Sequence, residues 1–293
     1  MEDWFALVQD AFAALPRLAD EAEWLQHAGL QPAEWDVLEI AYLCEPPPTV
    51  DLLAEWLPYT SPEWIRAQTR VLHEKGFLQA LNEQEYFLTD RAVEFIETRV
   101  EQKRAYLAMQ SPLPSRDLQR LAHLLARIVH AAVAAPPPPD KMRLLDSQRQ
   151  APRADAVPMV LTAQHLTDLL SFREDAYVAA WRAHGLDGPS VEVLMLLWRG
   201  EAADVDGLSA ALSARRGYRP QDYARIAVRL QAHDWVTASG SVLTVTPSGR
   251  TLCEEIEETT NRYYMFPWTA LLPVEVQQLR DLLQRFREAL MHS

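Results

Sequence analysis

Seven arginines stand where they could grip a polyanion: Arg66 and Arg70 in one stretch, and Arg215, Arg216, Arg219, Arg225 and Arg229 in another. Arginine suits that work because its planar guanidinium stays charged and can donate two parallel hydrogen bonds to a phosphate or to the edge of guanine. Arg66 and Arg70 are four apart, so a helix would show both on one face, away from Ile65 and Leu72. Arg225 points away from Tyr223, Ile226 and Leu230 in the same sense, with Arg229 on the flank, and Arg215, Arg216 and Arg219 precede them at a turn. The competing reading of these residues is a solvated helix face pairing with Glu63, Glu74 or Asp222, each pair worth roughly a few tenths of a kcal/mol.

Other chemistry is sparsely provided for. The chain has no Gly-rich phosphate loop, no Gly-x-Ser-x-Gly elbow and no His-Glu-x-x-His motif, so no catalytic residue and no cofactor is assigned and an enzyme is not expected. The eight histidines lack metal-ligand spacing, and no metal is expected. Cys44 and Cys253 are far apart without adjacent cations, which reads as two buried structural thiols. Trp24, Trp35, Trp181 and Trp198 recur at similar places in the two halves. They could line a pocket for a small apolar ligand, although their helical spacing beside Leu and Val fits core packing better.

These residues need elements to hold them. Apolar spacing predicts a helix from Trp35 to Leu43, stopped by Pro46-Pro47-Pro48. Thr49 caps a short helix to Leu57, and Ser61-Pro62 opens a third that ends at Gly76. Two short helices across a tight turn form a helix-turn-helix, the second being the recognition helix. Residues 77–80 and 86–88 then read as a hairpin, or wing, around Asn82–Glu85, followed by helices from Asp90 to about Met109 and from Ser115 to about Val133. The same series returns downstream: Val191–Trp198, Asp206–Ala214, Pro220–His233, a hairpin around Ser239-Gly240-Ser241, then Ser248–Tyr264 and Val274–Met291.

The return is an internal repeat at an offset of about 157 positions. Trp24 to Leu30 is echoed by Trp181 to Leu186, Asp36 to Ile40 by Glu192 to Leu196, Arg70 to Leu78 by Arg229 to Val236, and Asp117 to Leu125 by Glu275 to Leu283. Four prolines from Pro136 favour polyproline II, and the polar run after them lacks periodicity. The expected domains are therefore 1–135 and 159–293, each with flanking helices, joined by a Pro-rich linker over 136–158.

Composition bounds the partners. Of 293 residues, 48% are hydrophobic and 24% charged, the profile of a soluble globular protein. No run approaches the ~20 apolar residues of a membrane span, and the start, Met1-Glu2-Asp3-Trp4, is acidic where a secretory signal is basic; a cytoplasmic location is expected. The net charge of −13 opposes nucleic-acid binding overall, about −10 of it falling before Pro136 and about −3 after. Local patches outweigh the total, so the second half is the better DNA-binding candidate.

The order of elements, the recognition-helix ending Arg70 to Leu78 and the wing-closing segments Leu88 to Ala92 and Val245 to Gly249 resemble the MarR family of bacterial winged-helix regulators, here as a tandem duplication in one chain. The second half, with Phe172 to Trp181 and Asn261 to Trp268, is similar to uncharacterised bacterial MarR-like proteins. The resemblance implies sequence-specific DNA binding by a dimer, often relieved by a small molecule or an oxidant. MarR-like wings usually carry an Asp-x-Arg-Arg type of segment; here the first wing tip has two glutamates and the second only small polar residues.

The expected fold is mainly α with small β-hairpin wings, two tandem winged helix-turn-helix domains packed as a pseudodimer. The expected function is a DNA-binding transcriptional regulator, ligand-responsive in the MarR manner, with double-stranded DNA as partner and its recognition helices about 34 Å apart on successive half-sites. A small apolar ligand and a protein partner are further candidates. The rival is an acidic tandem winged-helix adaptor that binds a protein without touching DNA.

Overall fold

The computed structural model describes residues 4–44, 48–82 and 85–292. In chain order the first half forms α1 (Trp4–Ala13), α2 (Glu21–Ala28), α3 (Pro32–Leu43), α4 (Val50–Trp56), α5 (Pro62–Glu74), β1 (Leu78–Ala80), β2 (Tyr86–Leu88), α6 (Asp90–Ala108) and α7 (Ser115–Ala134). The second forms α8 (Met142–Arg149), α9 (Pro158–Arg182), α10 (Gly188–Arg199), α11 (Val205–Arg216), α12 (Pro220–Ala232), β3 (Val236–Ser239), β4 (Val242–Val245), α13 (Pro247–Met265), a 3-10 turn (Phe266–Ala270) and α14 (Pro273–Met291). The fold is mainly helical with two small antiparallel hairpins, registered Leu78 on Leu88 and Val236 on Val245. The order from α3 to α7 recurs from α10 to α14. Of the sequence-based expectations, the helix stop at Pro46 and Pro47 and the wing-tip residues Glu83 and Gln84 lie outside the described residues.

Local chemistry sets these boundaries. Thr49 Oγ1 accepts from the Leu52 amide at 3.0 Å and Ser61 Oγ from the Trp64 amide at 3.4 Å, each satisfying an orphan donor of a helix start. Asp187 and Asp204 cap α10 and α11 in the same way, at 2.8 and 2.7 Å. The wing-closing threonines share one role. Thr89 Oγ1 donates to the Gly76 carbonyl and accepts from the Ala92 amide, while Thr246 Oγ1 donates to the Asp234 carbonyl and accepts from the Gly249 amide. Each locks the end of a recognition helix to the helix that follows its wing. A Cβ on Gly249 would lie 2.1 Å from the Trp235 carbonyl oxygen, so only glycine fits there.

The chain divides into two compact units, with boundaries inside α6 and α9 and near the end of α13. One unit gathers the residues up to Glu21, Glu97–Ala179 and Thr260 onward. It is helical, and its core is built from Leu121, Leu124, Leu125 and Ile128 of α7, Leu166, Leu169 and Phe172 of α9, and Leu279, Leu283 and Phe286 of α14. Fully burying such side chains stabilises by about 1.5–3 kcal/mol each. Trp4 lies 4.6 Å from Trp268, ring to ring. The rim between α7 and α14 carries ion pairs: Arg120 and Arg127 to Glu275, and Arg285 to Asp117.

The Pro-rich segment expected to be an aperiodic linker contains α8, with Leu144 fully buried. Two buried carboxylates of α9, seven residues apart and so on one face, hold α8 in place. Asp175 accepts from the Arg143 and Leu144 amides at 3.1 and 2.9 Å, capping the helix start. Asp168 accepts from Ser147 Oγ at 2.6 Å and from the side-chain Nε2 groups of Gln148 and Gln164 at 2.6 and 2.8 Å. A helix of eight residues is marginal alone. Its partners lie some 20–30 residues downstream, which is why periodicity did not reveal it.

The other unit gathers Ala22–Ile96 and Ala180–Thr259, two helix-turn-helix modules. Leu38, Leu53, Ile65 and Leu72 fill the first; Val191, Leu194, Leu208, Tyr223, Ile226 and Leu230 fill the second. The turn between α4 and α5 seats against the second module. The Ser61 amide donates to the Arg216 carbonyl at 2.8 Å, and Trp181 Nε1 donates to the Tyr59 hydroxyl at 3.4 Å. The Arg216 guanidinium lies 5.2 Å from the Tyr59 ring centre. A Cβ on Gly188 would sit 2.0 Å from the Pro58 carbonyl oxygen, and one on Gly217 2.4 Å from the Trp64 side chain. Two glycines of the second module thus make room for the turn of the first.

Two outcomes are expected. Burial pushes Asp175 up to about 6 against the hydrogen bonds and the Arg143 charge that pull it down. The folded chain therefore holds that proton more tightly than the unfolded one, and stability should fall as pH rises from about 4 to about 6, by up to roughly 3 kcal/mol. In urea titrations Asp175→Asn, which keeps an acceptor and cannot ionise, should flatten that slope; an unchanged slope would refute the assignment. Gly188→Ala should cost about 1–3 kcal/mol by overpacking, read as a lower Tm. An unaltered Tm would mean that Pro58 does not press on Gly188.

Candidate nucleic-acid interface

Helices α5 and α12, 13 residues each, occupy the recognition position of their modules. On α5 the buried stripe is Ile65, Thr69 and Leu72, which leaves Arg66 and Arg70 exposed together, as their spacing required. On α12 the stripe is Tyr223, Ile226, Ala227 and Leu230, with Arg225 and Arg229 exposed. Arg215 and Arg219 are exposed at the end of α11 and the start of α12. Six of the seven arginines therefore reach the surface.

Arg216 does not. Its guanidinium makes a two-pronged contact with Glu192, Nε at 2.9 Å and Nη2 at 2.6 Å from Oε1, with only 19% of the side chain exposed. It packs at the contact with Tyr59, so protein engages its guanidinium where the other six arginines are presented to solvent. Glu192 lies 24 residues earlier, so no local pattern connects the two.

The exposed arginines of the second module have carboxylate neighbours. Arg219 and Arg225 both approach Asp222, at 3.5 and 3.1 Å, while Arg229 donates to Asp187 at 3.0 Å and to Ser190 Oγ at 3.1 Å. The Asp222 carboxyl is held below its usual range first by the Arg219 amide and then by the two arginine charges. These are exposed pairs, screened by water and salt, and a phosphate can exchange for the carboxylate. Sequence reasoning missed Val228, 64% exposed on α12 between Arg225 and Arg229. The available signal was an apolar residue off the Tyr223–Ile226–Leu230 register, and an exposed methyl group on a recognition helix can contact thymine.

The two recognition helices adjoin at their N-terminal ends. Trp64 of α5 packs at Gly217, and Glu63 feels the Asp222 charge, which raises it slightly against the stronger lowering by its own amide and by Ser61. Each helix is about 20 Å long, and the contact ties the first turn of one to the start of the other. The α4–α5 turn docks on the second module, so α5 is held beside the start of α12.

The wings offer little grip on phosphate. At the first, Asn82 Oδ1 accepts from the Glu85 amide and Asn82 Nδ2 donates to the Glu85 carboxylate, with Leu81 and Phe87 exposed. The second turns through Gly240 in the left-handed region.

The four tryptophans are partly brought together. Trp24 stacks on Phe95 at 4.0 Å and meets Trp35 edge-on at 5.0 Å, with Phe77 also against Phe95. Trp181 belongs to the Tyr59 contact, and Trp198 is half-buried on α10, without a ring contact to the other three among the described residues. Cys44 and Cys253 are buried thiols outside any disulfide, and burial pushes Cys253 up to about 12, which keeps it protonated. Among the described residues no helix is long and apolar enough to cross a membrane and no cluster of His, Cys, Asp or Glu could hold a metal ion.

No curated protein and no solved structure matches the chain. A family model does, over residues 95–293, a span that contains α10, α11 and α12 with the second wing and excludes the first helix-turn-helix. With its paired capped helices, exposed recognition helix and hairpin, the chain belongs to a helix-turn-helix family.

Proposed function

We propose that the chain is a DNA-binding transcriptional regulator of MarR-like type, working in the cytoplasm without catalysis. The carrying observation is α12: a recognition helix in a family-matched motif, with Arg219, Arg225 and Arg229 exposed around Val228. Arginines on such a helix can reach guanine edges and phosphates, and methyl groups can read thymine. The recurrence of element order from α3–α7 to α10–α14 supports a tandem duplication, and the packing of α7 against α14 supports reading the pair as an internal pseudodimer. Small-molecule control in the MarR manner belongs to the same proposal.

The test is a titration of duplex DNA against salt. Each phosphate contact releases a counterion, so log affinity should fall linearly with log salt, with a slope of about −0.9 per contact. Arg225→Ala should reduce affinity by about five-fold or more. Asp222→Asn should strengthen binding, because it removes the carboxylate that competes with phosphate for Arg219 and Arg225. No binding near 50 mM salt, or binding that neither substitution changes, would leave the acidic protein adaptor as the better reading.

A further inference from the structure

We infer that DNA is read by α12 alone, as one contiguous site without two-fold symmetry, and that the first module is a docked companion whose helix-turn-helix turn contacts protein. The inference rests on the DNA-binding reading and adds to it which module reads and what shape of site it takes.

Three observations carry it. The turn that would deliver α5 to a groove is occupied: Thr60 and Ser61 are buried, the Ser61 amide is spent on the Arg216 carbonyl, and Pro58, Tyr59 and Trp64 fill the space left by Gly188 and Gly217. This contact joins the N-terminal ends of α5 and α12, the ends that a helix-turn-helix points at bases, and ties α5 to the second module instead of leaving it to reach a groove of its own. The charge is also one-sided. Residues 22–96 hold four basic against thirteen acidic residues, whereas 180–259 hold eight against eleven. Of those four, Lys75 is taken by Glu34 and the Gly29 carbonyl, and Arg91 by the Lys75 carbonyl and the Phe77 ring. Only Arg66 and Arg70 remain on the face of α5, with Glu63 ahead of them. A module of that balance repels the phosphate backbone, and α12 is left as the reader.

Selection of the full-length chain against a randomised duplex library decides the site's shape. A single asymmetric motif is expected. The double variant Arg225→Ala/Arg229→Ala should lose about tenfold or more in affinity for it, and Arg66→Ala/Arg70→Ala less than about threefold. Spin labels at Glu74→Cys and Ala232→Cys, with the native thiols buried, should give one distance that duplex DNA does not change. A two-part motif with half-sites about ten base pairs apart, equal losses from both double variants, or a label distance that lengthens on DNA would overturn the inference while leaving DNA binding intact. Failure of the wild-type chain to bind any duplex would instead remove the DNA-binding reading, and this inference with it.

Discussion

The unit that carries both recognition helices depends on one close approach of backbone to backbone. Pro58 meets Gly188 where no Cβ would fit, and two residues on from Tyr59 the Ser61 amide finds the Arg216 carbonyl. That hydrogen bond fixes the register of the α4–α5 turn on the second module, and the Trp64 side chain over Gly217 prevents it from sliding. Arg216 is drawn into the same contact by Glu192 beneath it and the Tyr59 ring beside it. Where α5 points, how near it lies to α12, and which arginines stay free all follow from this seam.

The electrostatics shows how an acidic chain can keep a face of exposed arginines. The arginines on α12 are held in place by Asp222 and Asp187, short side chains that also serve as a helix-start acceptor and an N-cap. Each carboxylate satisfies backbone donors first and steadies an arginine second. The positive charge is therefore ordered and exposed but not buried, the state from which exchange to a phosphate costs least. The acidic excess sits largely in the first module.

The helical unit uses carboxylates differently. Asp168 and Asp175 are buried in α9 and spend their oxygens on α8, a segment too short to be helical unaided. Removing a carboxylate from water is costly unless its lone pairs are satisfied. Asp168 meets that condition with side-chain donors, and Asp175 with the amides at a helix start. The polyproline segment that precedes α8 thus leads into packed structure.

Much of this protein could be read along the chain. Helices α3 to α7 and α10 to α14 start and stop within a few residues of where caps, prolines and glycines put them, because capping and amphipathic spacing act over three or four residues, a range the sequence displays directly. The exposure of Arg66, Arg70, Arg225 and Arg229 followed from the same periodicity. Helix α8, the inward turn of Arg216, the division of the tryptophans and the meeting of α5 with α12 were settled only by tertiary structure. Each depends on partners some 20 to 150 residues away, whose approach is set by packing and by the absence of a Cβ at two glycines. Local sequence fixes what an element is; what it touches is decided by the surfaces that fold against it.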